Sequence, residues 1–284
     1  VIPYDKNNSL GPENKLEIKD YVIQTNDFSI VNPDAVRVFQ NSYATLPLEI
    51  IESPDVYSEY FIGKCKTEQI GFTVVPENDA KIEDGKAILF EDTTEIFENE
   101  FERCEELKSI EIPASVTKIG FGAFFNCTNL TEVKLPTTLE KIGECAFKWC
   151  ENLESIDIPN SVTEIGHKAF ESCHSLSKVT LSANLSKIES GTFRDTAIEE
   201  IEIPDSVTEI GDNAFESCHS LSKVRLSANL SKIESGTFRE TAIEEIEIPN
   251  SVKFIEDQAF GECYYLHDVR LPNDIEIADS AFED

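Results

Sequence analysis

Apolar and polar positions recur along most of this chain with a period of 22 or 23 residues. In Pro159 to Leu181, PNSVTEIGHKAFESCHSLSKVTL, apolar or small side chains fall at Val162, Ile165, Ala169, Phe170, Cys173, Leu176, Val179 and Leu181. The pattern returns from Pro113, Pro136, Pro204 and Pro249, and shorter variants begin at Ser182 and Ser227. A degenerate copy without the proline runs from Phe90 to Ile112, and a truncated one from Pro272 to the chain end. A fixed period of this size is the signature of a solenoid, in which each repeat is one coil and neighbours cover its two open faces.

Each coil divides into predicted pieces. Leu176-x-x-Val179-x-Leu181 has strand spacing, with Val179 and Leu181 inward and Lys178 and Thr180 outward. Proline after such a strand ends its pairing, having no N–H to donate. Val162 to Gly166 predicts a second short extended piece with a glycine bend. Ala169-Phe170-x-x-Cys173 has the spacing of one helical turn. Strands of successive coils should lie in parallel register, about 4.8 Å apart.

Residues 1 to about 82 do not follow the repeat, which divides the chain into a non-repeat N-terminal segment, 1–82, and a solenoid of about eight coils, 83–284. Leu16 to Ile23 and Gln69 to Val75 read as strands. Asn32 to Phe39, with an N-cap and Pro33 at the first helical position, reads as a helix. The segment is expected to cap the first open coil, with a separate small α+β domain as the alternative. The chain opens with VIPYDKNNSL and contains no Met, so it is read as a trimmed segment whose targeting signal, if any, lies outside it.

Charge narrows the function. A formal net charge of −31 disfavours the nucleic-acid backbone, which needs Lys and Arg to displace counterions. No run approaches the 18 or so apolar residues of a membrane span. The outward residues of the long strands, coil by coil, include Lys178/Thr180, Glu200/Glu202, Lys223/Arg225 and Glu245/Glu247. Acidic and basic coils therefore largely alternate, and the short strands repeat the alternation in Glu164, Lys187, Glu209 and Lys232. Unlike charges directly opposed on neighbouring strands favour one register. Residues 159–203 and 204–248 differ at only five positions, so a two-coil block has been copied.

Candidate chemistry is sparse. Six of the eight cysteines, Cys104, Cys127, Cys150, Cys173, Cys218 and Cys263, occupy one repeat position. Thr196 and Thr241 take that position in the shortened coils, which a required disulfide would not permit, and an inward-facing ladder of small apolar thiols results. There is no CxxC pair for zinc. Cys65 and Cys145 fall outside the ladder. His167, His174, His219 and His267 sit at turn or outward positions, so Cys173 and His174 should point to opposite sides of the wall and form no nucleophilic pair. No catalytic residue, metal site or cofactor is expected.

The unit P-x-S-V-T-x-I-G-x-x-A-F-x-x-C-x-x-L-x-x-V-x-L, as it stands in Pro159–Leu181 and Pro204–Leu226, resembles the BspA-like leucine-rich repeats over about residues 90–284. The resemblance implies a leucine-rich-repeat solenoid and a secreted or surface-anchored protein of a host-associated microbe, acting in adhesion. It implies a protein or glycan ligand, with host extracellular matrix as a candidate, and no particular one. The expected contact surface is the charged sheet face around Lys178, Glu200, Glu202, Lys223, Arg225, Glu245 and Glu247. The rival expectation is a structural spacer in which those charges only pair with one another. The shortened coils, with Ile198 and Ile243 in the Leu place, could mark a bend.

Overall fold

A computed structural model describes residues 16–18, 21–23, 37–39, 48–52, 61–65, 71–75, 81–89 and 93–283. The chain separates into two compact units, 1–79 and 80–284. In the first, Leu16–Ile18 and Tyr21–Ile23 pair antiparallel, so the predicted long strand is a hairpin. Arg37–Phe39, Gly71–Val75, Phe61–Cys65 and Leu48–Glu52 form an antiparallel sheet in that order. The helix expected over 32–39 is therefore corrected at its end, where Arg37–Phe39 is a strand; residues 32–36 lie outside the described residues. A short amphipathic run is a marginal helix without partners, whereas Arg-Val-Phe gains an antiparallel partner strand in Gly71–Val75.

The second unit is the expected solenoid, with two columns of parallel strands. Long strands of successive coils meet in register, as in Ile110 against Val133, Ile156 against Val179, Ile201 against Val224 and Ile246 against Val269. Short strands stack likewise, with Ile96, Ile119, Ile142 and Ile165 in one row. Between the columns runs a core of buried Leu, Ile, Val, Ala and Cys. Its centre is a stack of parallel phenylalanine rings from Phe101 to Phe282, one per coil, with centroids 4.9–5.5 Å apart. Aromatic faces at this offset spacing attract beyond simple burial. The leading edge of the long-strand column is closed by a hairpin, Lys81–Glu83 with Lys86–Ile88, whose second strand runs parallel to Ser109–Glu111. Asp84 and Gly85 at its tip both have positive φ, 51° and 83°, the backbone that a tight Asp-Gly hairpin turn requires.

The predicted helical turn is absent, and the reason lies in the backbone. Lys168 and Ser172 are left-handed, with φ of 56° and 58°, and the same two positions are left-handed in the other coils, for example Gly191 and Asp195. Such residues stop a helix from propagating. They also turn alternate N–H groups outward. The Glu171 and Cys173 N–H groups donate within the coil, to Lys168 and Phe170 carbonyls. Those of Phe170 and Ser172 donate to Thr192 and Arg194 in the next coil, both at 2.9 Å. A helix would have spent all of them internally, so this strip of turns is a third line of coil-to-coil bonding.

The shortened coils leave seams rather than gaps. The short-strand column is interrupted between Glu164–Ile165 and Lys187–Ile188, and between Glu209–Ile210 and Lys232–Ile233. Side chains bond across these seams. Ser182 Oγ donates to Val162 O and Ser227 Oγ to Val207 O, both at 2.6 Å. The Ala183 and Ala228 N–H groups donate to Asn160 Oδ1 and Asp205 Oδ1 at 2.8 and 3.0 Å. Serine, at 182 and 227 where other coils have proline, supplies the hydroxyl that makes these bonds.

Candidate functional site

Of the faces that carry alternating charge, the sheet face of the long strands and the turn face are treated differently by the structure. On the sheet face, Glu200 opposes Lys223 and Glu202 opposes Arg225 in parallel register, as the alternation predicts. Ion pairing there is thin. Arg225 reaches Glu202 at 3.6 Å and Asp205 at 3.4 Å, and Glu247 meets Arg270 at 3.7 Å. Lys178, Glu200, Lys223 and Glu245 form no ion pair with any described residue, and all are exposed. The structure thus brings the seven candidate residues together on one face but pairs only three of them.

The turn face holds a ladder that strand-based reading misses. In the five central coils the residue after the core phenylalanine is, in turn, Lys148, Glu171, Arg194, Glu216 and Arg239. Lys148 meets Glu171 at 2.7 Å, with both side chains mostly buried. Glu216, its side chain only 8% exposed, lies between Arg194 at 3.2 Å and Arg239 at 3.3 Å. Arg239 also bonds Glu262, and that guanidinium holds the Glu262 carboxyl below the usual carboxylate range. The signal was legible as F-K, F-E, F-R, F-E, F-R over the five coils from Phe147 to Phe238.

The cysteine ladder serves the core. Cys127, Cys150 and Cys173 thiols donate to the carbonyls of Phe101, Phe124 and Phe147 one coil earlier, at 2.9–3.1 Å. Cys218 and Cys263 do the same to Phe193 and Phe238. Burial pushes the Cys127 thiol up to about 12 and the Cys218 thiol up to about 11, so neither supplies a thiolate near neutral pH. In the shortened coils Thr196 and Thr241 instead donate to the phenylalanine of their own coil. Cys173 and His174 point apart, as expected: the thiol is buried, and the exposed imidazole meets Asp195 at 3.0 Å. Among the described residues no disulfide forms, and no group of three or more His, Cys, Asp or Glu is placed to hold a metal. Among them no helix is long and apolar enough to cross a membrane.

Stacked coils with an in-register parallel sheet, a leucine-bearing strand and an inner phenylalanine column define a leucine-rich-repeat solenoid. Residues 94–218 and 186–284 match the BspA type leucine rich repeat region in six copies, and the chain belongs to that family. It is similar in structure to a leucine-rich repeat protein from Bacteroides ovatus ATCC 8483, at 20% identity over 81% of this chain and 80% of that one, with a TM-score of 0.51. The pneumococcal vaccine antigen PcpA matches at 20% identity over 80% of this chain and 71% of its own, with a TM-score of 0.54. A leucine rich cell surface protein from Faecalibacterium prausnitzii A2-165 matches at 22% identity over 82% and 93%, with a TM-score of 0.37. No curated protein matches the chain in sequence.

Proposed function

We propose that this chain is a non-enzymatic binding array of the cell surface or extracellular space, and that it captures a protein or glycan, with host matrix as a candidate, on its sheet face. The residues assigned to contact are Lys178, Glu200, Glu202, Lys223, Arg225, Glu245 and Glu247. One observation carries this reading. Lys178, Glu200, Lys223 and Glu245 stand exposed without ion partners, while the turn-face charges satisfy one another. A spacer whose sheet charges existed only to pair would show the reverse. Variable exposed positions on a rigid array are also where repeat proteins recognise partners. The extracellular location rests on membership of the family.

The test compares wild type with K178E/K223E/R225E on immobilised host matrix proteins by surface plasmon resonance. Saturable capture by wild type and its loss in the variant support the stripe. Capture retained by the variant removes these residues from the site.

A further inference from the structure

The sheet-face stripe leaves unexplained why the first coils expose aromatic rings. Phe121 is 45% exposed and Trp149 40%, with Phe97 similarly open. Later coils carry no Phe, Tyr or Trp at the positions of Phe97 and Phe121. Read across three neighbouring coils, the second residue after each short strand is Glu98, Phe121 and Glu144. One open ring therefore lies in a row between two carboxylates. Backbone bonds fix that row, with Asn99 N–H donating to Phe121 O and Gly122 N–H to Glu144 O, both at 2.9 Å. The strips approach so closely that a Cβ on Gly143 would come within 2.5 Å of Gly120 O. Phe97, Glu98, Phe121 and Glu144, with Gly120 and Gly143 at the floor, line an open groove of about 470 Å3.

The charges of the groove are unbalanced. Its two lysines are already engaged, Lys118 with Glu95 at 3.5 Å and Lys141 with Glu164 at 2.5 Å. Glu98 and Glu144 are exposed and form no ion pair with any described residue. A ring face is electron-rich and attracts a cation within about 6 Å of its centroid. Two free carboxylates on either side add to that attraction. The stretch from Glu83 to Glu106, which includes Glu98, contains ten acidic residues and two basic ones in sequence, a charge that draws in basic partners and repels acidic ones.

We propose that this groove binds a lysine or arginine side chain of a basic protein segment, its aliphatic stem against Phe97 and Phe121 and its charge between Glu98 and Glu144. The surface is distinct from the sheet-face stripe and does not depend on it. The full chain is titrated into a fluorescein-labelled Arg-Gly repeat peptide at low salt, and anisotropy is followed. Saturable binding is expected, weakened about tenfold in E98Q/E144Q and about three- to fivefold in F121S, and kept in F121W, since tryptophan is the best cation–π partner. E199Q/D212N removes the same charge from exposed positions outside the groove, and it leaves the affinity unchanged. All these side chains are exposed, so unaltered melting curves show that the variants fold. No saturable binding, or equal weakening by the two double variants, overturns the proposal, the latter because the peptide would then answer only to net charge.

Discussion

The turn face and the sheet face carry the same sequence feature, a charge that changes sign from coil to coil, and the array uses them in opposite ways. On the turn face the alternation sits beside the core phenylalanines, where Lys148, Glu171, Arg194, Glu216 and Arg239 are held close and partly withdrawn from water. On the sheet face the side chains stand up from the long strands, and opposed residues such as Glu200 and Lys223 are in register without meeting as an ion pair. Alternation alone therefore does not tell a structural ladder from an open one. Depth does, because a pair near the core sheds water while an exposed pair is screened and gains little.

The largest effect that would break this contrast is expected at Glu216. Glu216→Ala leaves Arg194 and Arg239 facing an empty site and should cost about 2 kcal/mol, whereas Glu200→Ala should stay within about 0.5 kcal/mol; urea unfolding of both variants checks this. Next comes reversal of Lys223 and Arg225 to Glu, which sets like charges against Glu200 and Glu202. It should lower Tm modestly at low salt, by less than about 1 kcal/mol, and the loss should fade as salt screens the exposed charges. A Tm drop that persists in high salt would place the sheet charges among the structural ones.

Smaller still is the backbone of the turn strip. Arg103 is left-handed, with φ of 59°, and Arg103→Gly should raise stability by about 0.5 kcal/mol, because glycine meets no Cβ penalty there. The smallest effect belongs to a seam. Asp205 is held below the usual carboxylate range, first by the Ala228 N–H and then by Arg225. A carboxyl lowered in the folded state contributes stability above its unfolded value, and that contribution is lost as pH falls through the folded one. Asp205→Asn, the residue found at Asn160 in the sister block, should therefore differ slightly from wild type at neutral pH. Thermal melts of the two should draw together as pH falls through the lowered value of the folded Asp205 carboxyl.

The repeat, both strand columns, the thiol ladder and the sheet register were legible because each depends on one residue type returning at one spacing. Three features were not. The turn strip looked helical because Ala169, Phe170 and Cys173 have helical spacing, and its left-handed positions are filled by Lys168 and Ser172 rather than glycine. Arg37–Phe39 became a strand through pairing with Gly71–Val75, some 35 residues away, which local propensity cannot register. The turn-face ladder was written plainly after each phenylalanine, but its meaning depends on how deeply Glu171 and Glu216 are buried, and spacing does not report depth. Of the candidate site, the sheet row was legible, while the Glu98–Phe121–Glu144 row appeared only once three coils were laid side by side.

The most direct measurement is a pair of double-mutant cycles run under the same conditions, one on Glu216 and Arg239, the other on Glu200 and Lys223. A coupling of about 1 kcal/mol in the first and close to zero in the second is the predicted result. Equal couplings in the two cycles would contradict the division of the array into a face that holds it together and a face left open to a partner.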